Sequence, residues 1–376
     1  MDTALPLTAA QKAAELARHF AHTAADHDRS GTFPAGNLPL LHDAGLLSLT
    51  VPRRWGGAGA GLETAAAVVH EIARGEPATA LVVAMQLMQH AGIAREERWP
   101  DAVHAEVAES AVRDGALINA LRVEPELGTP ARGGMPATVA RRTAEGWRLD
   151  GHKIFTTGAP VLRWFVVWAR TEDGGRTGNF LVPAGAPGVR MVRTWDSMGM
   201  RATESHDILF ENVLIPHDYA VDVRESWPPP DPPQAVWNAV MIGALYQGVA
   251  RAARDWLLHW LHARKPSNLG ASLATLPRMQ AEVGAIDLKL TTGARLWRSA
   301  AAQTPPPEAA ESALLKIRLT EDAIEAVGRC LALTGNAGLS RKNPLERHFR
   351  DVQSARVHTP QVDAAMLGAG RVALGV

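Results

Sequence analysis

The chain is poor in cysteine: Cys330 is the only one in 376 residues. That excludes an internal disulfide framework and a thiolate zinc cluster. Cys330 sits in the apolar run Val327 to Leu333, where a buried, inert thiol is the default reading. Net charge is missing too. Lysine plus arginine and aspartate plus glutamate both number 39. That balance argues against a chain-wide footprint for nucleic acid and, without self-repulsion, favours a homodimer or homotetramer. The longest apolar stretches, Ala78 to Met88 and Val240 to Ala250, fall short of a membrane span. Met1 to Thr8 has no basic segment leading into an apolar core, so no secretory signal and a cytoplasmic location are expected.

Familiar catalytic strings are also absent. The glycines at 56, 57, 59 and 61 do not fit G-x-G-x-x-G, and no strand precedes them. There is no Walker A loop and no G-x-S-x-G elbow, and His70-Glu71 lacks the second histidine of HExxH. The histidines are scattered singly, so no metal site is expected.

What is present changes character along the chain. Residues 1–115 are alanine-rich and helical in pattern, with Thr8 and Gln11 spaced as a capping box. The loop Val51 to Gly61 interrupts them, and Leu62 to about Arg95 returns to helical periodicity. Residues 116–223 alternate short β-prone runs with turns, which predicts an antiparallel sandwich or barrel. Residues 224–233 hold Pro228-Pro229-Pro230-Asp231-Pro232-Pro233, an expected extended linker. Residues 234–376 carry three long helical patterns, Ala235 to Leu261, Leu273 to Gln303 and Pro307 to Leu333. The fold class is therefore α+β: an N-terminal helical domain, a middle β domain and a C-terminal four-helix bundle.

This order, with a series of local strings, resembles the acyl-CoA dehydrogenase superfamily over residues 8 to 376. Gly45, Val51-Pro52 and Trp55-Gly56-Gly57-Ala58-Gly59 are similar to its G-x(5)-P-x(3)-G-G-x-G string. Val123-Glu124-Pro125-Glu126-Leu127-Gly128-Thr129 stands where the family has T-E-P-x-x-G-S, whose groups hold a flavin. Val123 replaces the threonine, which leaves backbone groups there, with Gly128 beside them and a phosphate-side hydroxyl on Thr129. Gly146 to Ala159 is similar to the family's most recognisable string. The resemblance implies that Phe155 packs beside the isoalloxazine and that Thr156 and Thr157 line its N5 edge. Read without the family, the same string is a hairpin turning at Asp150-Gly151, with Phe155 in the core. Met198 to Asp207 resembles the G-M-R-x-T-x-S-x-D stretch, and Tyr246 to Ala253 the first bundle helix. Arg264 stands for an arginine that reaches flavin phosphates of a neighbouring subunit. Gly335 and Asn336 stand in a loop near the adenine, and Arg350-Asp351 matches a late R-D pair. The implied cofactor is FAD, or FMN.

Desaturation of an acyl-CoA needs a carboxylate to take the weakly acidic α-proton. The two positions where the family places that glutamate fall on Thr359 and Asn238, neither of which is a carboxylate. His358-Thr359-Pro360, with Glu124 to Gly134, resembles the branch that contains dibenzothiophene monooxygenase. Those enzymes take reduced flavin from a partner reductase and need proton donors in an apolar pocket. His358 and Thr157 are the candidate donors, with Gln86 and His90 further pocket candidates. Three readings stay open: an oxygenase fed by a flavin reductase, an acyl-CoA dehydrogenase with a displaced base serving an electron-transfer flavoprotein, and a catalytically silent scaffold.

Overall fold

A computed structural model of the chain describes residues 7–127, 134–227 and 231–376. Among the described residues six α-helices come first: α1 (Ala9–Phe20), α2 (Ala24–Ser30), α3 (Asn37–Asp43), α4 (Leu62–Gly75), α5 (Pro77–Glu96) and α6 (Asp101–Asp114). The capping box forms, with the Gln11 amide donating to the Thr8 hydroxyl and the Thr8 amide to the Gln11 side chain. Leu62 to Arg95 is two helices rather than one. Pro77 has no N–H to continue α4, so the chain leaves helical geometry at Glu76. The Glu76 carboxylate then caps α5 by accepting from the amides of Ala78 and Thr79.

Eight strands follow among the described residues: β1 (Leu117–Leu121), β2 (Val139–Arg142), β3 (Trp147–Thr156), β4 (Leu162–Thr171), β5 (Thr177–Pro183), β6 (Val189–Val192), β7 (His206–Ile215) and β8 (Asp222–Arg224). They lie in the order β6-β7-β3-β2-β4-β5-β8, with β1 on β4. β1 and β2 each run parallel to β4, so the expected antiparallel unit is a mixed sheet. Asp150-Gly151 is not a turn. β3 runs through it, with a register shift against β7 between Leu149 and Gly151. A Cβ on Gly151 would lie 2.3 Å from the Thr138 hydroxyl, so glycine serves close packing there rather than reversal.

The rest is helical: α7 (Pro232–Ala263), α8 (Pro277–Ala302), α9 (Ala309–Thr334), α10 (Asn336–Leu339), α11 (Leu345–Gln353) and α12 (Val362–Leu374). The proline segment is shorter than a linker over 224–233. β8 occupies its start, and Pro232 opens α7 at a position where a missing N–H costs no hydrogen bond. Asp231 caps that helix by accepting from the Gln234 amide. α7 packs against α4 at Gly248, where a Cβ would lie 2.4 Å from the His70 carbonyl oxygen. Among the described residues no helix is long and apolar enough to cross a membrane.

The late Arg350-Asp351 pair ties the three parts together. The Arg350 guanidinium donates to both carboxylate oxygens of Asp28 on α2, at 2.9 and 2.6 Å, and to the Met198 carbonyl oxygen at 3.0 Å. Asp351 accepts from the Met200 amide at 2.7 Å.

Candidate functional site

The C-terminal end of β3 is built to present an aromatic ring. The register of β3 against β7 slips between Lys153 and Thr156, a bulge that re-aims the side chains within it. Phe155 sits in that bulge at φ +58°, a left-handed backbone that a bulky residue adopts at a cost. The ring is thereby turned out of the core and is 59% exposed. It meets Trp195 edge-on, with centroids 6.2 Å apart.

Polar groups flank this ring. The Thr156 hydroxyl is buried and, among the described residues, has no hydrogen-bond partner. The Thr157 hydroxyl lies 3.3 Å from the Ser205 hydroxyl. Ser205 shares a 2.8 Å hydrogen bond with Thr203, and Thr203 donates to the Met200 carbonyl oxygen. An exposed aromatic face beside the unpartnered Thr156 hydroxyl and the Thr157 hydroxyl fits a flat ring with an apolar face and a polar rim, as a flavin has.

The loop before β2 is pinned from inside. Glu124 accepts from the amides of Ala137 and Thr138, from the Thr138 hydroxyl and from Lys153 Nζ at 2.6 Å. Lys153 is fully buried, and burial pushes its ammonium down to about 8 despite Glu124. Val123 uses its carbonyl to accept from the Ile154 amide. Gly128 and Thr129 lie outside the described residues.

A second cluster forms where α7, α9 and the segment after α11 meet. The Tyr246 hydroxyl and His358 Nε2 are 2.8 Å apart. Lys316 on α9 donates to the carbonyl oxygens of Ala355, His358 and Pro360, at 3.1, 2.8 and 3.2 Å, and so fixes the turn that carries His358. Burial, with the nearby Lys316 ammonium, pushes the His358 imidazole down to about 4. Burial raises Tyr246, and the Asp351 charge adds to the rise. Burial also pushes the Asp351 carboxyl up to about 7. The turn at Met200 joins the clusters, because it bonds both Thr203 and Asp351. Asn238 is half-buried on α7, without a side-chain hydrogen bond among the described residues, and Thr359 is exposed beside His358.

The other expected pocket residues fare differently. Gln86 donates to the carbonyls of Leu47 and Ala116 and accepts from the Ile118 amide, so its amide has no free donor. His90 is fully buried with neither ring nitrogen partnered among the described residues, and burial pushes it to about 3. Arg264, Gly335 and Asn336 are all exposed and stand apart from both clusters in the hydrogen-bond pattern. Tyr246, Lys316 and Trp195 are the participants that sequence reasoning does not assign a role. Tyr246 carried a signal as one of two tyrosines in the chain, and Trp195 as the aromatic just before the family-like stretch Met198 to Asp207.

Three family profiles match the chain. They are described as Acyl-CoA dehydrogenase, N-terminal domain (residues 8–96), middle domain (residues 122–213) and C-terminal domain (residues 240–361). YdbM of Bacillus subtilis (strain 168), ascribed to the acyl-CoA dehydrogenases, is 33% identical over 95% of this chain and 94% of its own. The amino sugar nitrososynthase DnmZ of Streptomyces peucetius is 30% identical over 88% of this chain and 83% of its own. Among solved structures, KijD3 in complex with FMN and a dTDP-linked amino sugar is 27% identical. It superposes with a TM-score of 0.82 over 99% of this chain and 95% of that one.

Proposed function

Because the chain belongs to the acyl-CoA dehydrogenase family, we propose that it is a flavin-dependent oxygenase supplied with reduced flavin, rather than an α,β-desaturase. The observation that carries this reading is the neutral His358–Tyr246 pair, with Thr359 next to His358 in the chain and Asn238 two helical turns before Tyr246 on α7, so that neither position at which the family's catalytic carboxylate is expected supplies one. Desaturation needs a base for the α-proton, and neither Asn nor Thr is one. Oxygen chemistry needs a sheltered site and groups that give protons. The similarity to a nitrososynthase supports the same direction.

FAD or FMN, when bound and reduced, would supply the electron pair. Phe155 and Trp195 would hold the ring system, and the Thr156 and Thr157 hydroxyls its polar edge. His358 is neutral at physiological pH, so Tyr246 and His358 share a single proton across Nε2 and the phenol oxygen. Lys316 holds the His358 backbone, which fixes where that proton is presented. A flavin reductase is the partner this reading requires.

The second reading is acyl-CoA desaturation with a displaced base and an electron-transfer flavoprotein as acceptor. YdbM favours it, as does the buried Asp351, held near neutrality by desolvation.

An absorption spectrum and an anaerobic titration with acyl-CoA separate them. The oxygenase leaves any bound flavin oxidised under acyl-CoA and consumes oxygen when given reduced flavin. Anaerobic bleaching of a tightly held flavin by an acyl-CoA would replace it with the second reading. His358→Ala is expected to cut turnover at least tenfold while flavin binding survives. Unchanged turnover would remove His358 from the chemistry.

A further inference from the structure

About half of the described arginines pair with carboxylates, and three of those that do not meet at one pocket. Arg141 pairs with Asp150, Arg254 with Asp287, Arg329 with Glu325 and Arg350 with Asp28. Arg142 lies next to Arg141 on β2 and points to the other face of the strand. It lines a pocket of about 580 Å³ together with Arg98, Arg176 and Arg224. Arg98 follows α5, and Arg176 lies in the β4–β5 hairpin. Among the described residues Arg98, Arg142 and Arg176 have no carboxylate at ion-pair distance. Asp222, the one acid of the lining, is held by Arg224 in a two-pronged pair. His217 adds a further nitrogen, which contacts the Ala144 carbonyl oxygen at 3.3 Å. Trp147, Val221 and Val223 supply the apolar part.

Three unpaired guanidinium groups brought together from separate segments repel one another. All three are exposed, so water and salt screen that repulsion, but the local excess of positive charge favours an anion and the planar guanidinium fork suits phosphate oxygens. The pocket volume exceeds a lone phosphate and falls in the range of small-molecule sites. We infer that this pocket binds the diphosphate of a nucleotide. It is a different place from the aromatic end of β3: Trp147 opens that strand and Phe155 is eight residues on, roughly 26 Å away in an extended strand. The inference is independent of the oxygenase reading. The same chemistry could come from a free nucleotide or from the nucleotide handle of a larger substrate.

Calorimetric titration of the purified chain with ADP, dTDP, coenzyme A and inorganic sulfate tests it, with no flavin and no turnover involved. At least one nucleotide is expected to bind, and to bind at least tenfold more weakly when salt rises from 50 to 300 mM, because the Debye length shortens from about 14 to about 6 Å. Binding of coenzyme A alone would identify a thioester handle, dTDP alone a nucleotide-sugar handle, and equal binding of all three a diphosphate read by itself. Arg142→Ala/Arg176→Ala is expected to weaken that binding at least tenfold. Arg142→Lys/Arg176→Lys keeps the charge but loses the fork, and is expected to fall between. Both changes are at exposed positions, and an unaltered melting temperature checks the fold. No nucleotide binding, sulfate binding as tight as ADP, or wild-type affinity in the alanine variant would each overturn the assignment.

Discussion

Lys153 shows how a single residue can hold a site in place. Its ammonium is fully buried and, among the described residues, meets one carboxylate, Glu124. Glu124 in turn accepts three more hydrogen bonds from Ala137 and Thr138. Removing one partner of such a pair leaves a buried charge without compensation. Glu124→Gln is therefore expected to cost about 3–5 kcal/mol in urea unfolding. Glu124→Gln/Lys153→Met should regain part of that loss, because the stranded ammonium is gone. Equal midpoints for the wild type and Glu124→Gln would show that the pair contributes nothing. The residue-scale counterpart at the chemistry is Tyr246. Tyr246→Phe keeps the ring and deletes the hydroxyl, so the bond to His358 Nε2 is lost while packing survives. Turnover in whichever reaction proves to be catalysed should fall with little change in melting temperature. Unaltered turnover would make the contact a structural one.

Helix packing depends on glycines placed where two backbones touch. Gly75 ends α4 against α1, and a Cβ there would lie 2.0 Å from the Ala17 carbonyl oxygen. No side-chain rotation relieves a clash with backbone. Gly75→Ala must push α1 away from α4, at a cost of about 1–3 kcal/mol, and thermal unfolding reads it. Gly92, on the neighbouring α5, has open space at its Cβ position. Gly92→Ala is expected to be neutral or slightly stabilising, since alanine is the better helix former. The opposite order of these two variants would show that α1 is not held against α4 as described.

Across the whole molecule, burial of titratable groups sets a dependence on pH. His90, His104, His348 and His358 are pushed by burial to about 3, about 4, about 3 and about 4. Each binds its proton more weakly in the folded chain than in the unfolded one. Their contribution is complete above the ordinary histidine value of 6.5 and is lost as pH falls towards 4 and 3. Asp351 works the other way. Its folded value of about 7 lies above the ordinary 3.8, so the stability it contributes is present at low pH and lost as pH rises through 7. Four histidines outweigh one aspartate between pH 6.5 and 5. The melting temperature should fall by about 5 °C over that interval. His348→Gln should reduce the fall, and Asp351→Asn should deepen it. A flat profile would contradict the burial of these groups.

The sequence by itself determined the order of elements and the family. Periodicity, proline and glycine positions act locally, so the helical start, the β-rich middle and the helical end are written in residues that are neighbours in the chain. It also marked the string around Phe155 and the two positions, Asn238 and Thr359, that lack a carboxylate. Only the tertiary structure decided what those residues do. The slip in register at Lys153 to Thr156 depends on how β3 pairs with β7, and it alone turns Phe155 outward. Tyr246 and His358 are 112 positions apart, and no local pattern signals that they touch. Gln86 read as a possible donor, but its fold neighbours at Leu47, Ala116 and Ile118 consume its amide. The unpaired charges of Arg98, Arg142 and Arg176 come from three separate segments. Local sequence fixes backbone preference, whereas burial, pKa and pairing depend on distant segments that meet only when the chain folds.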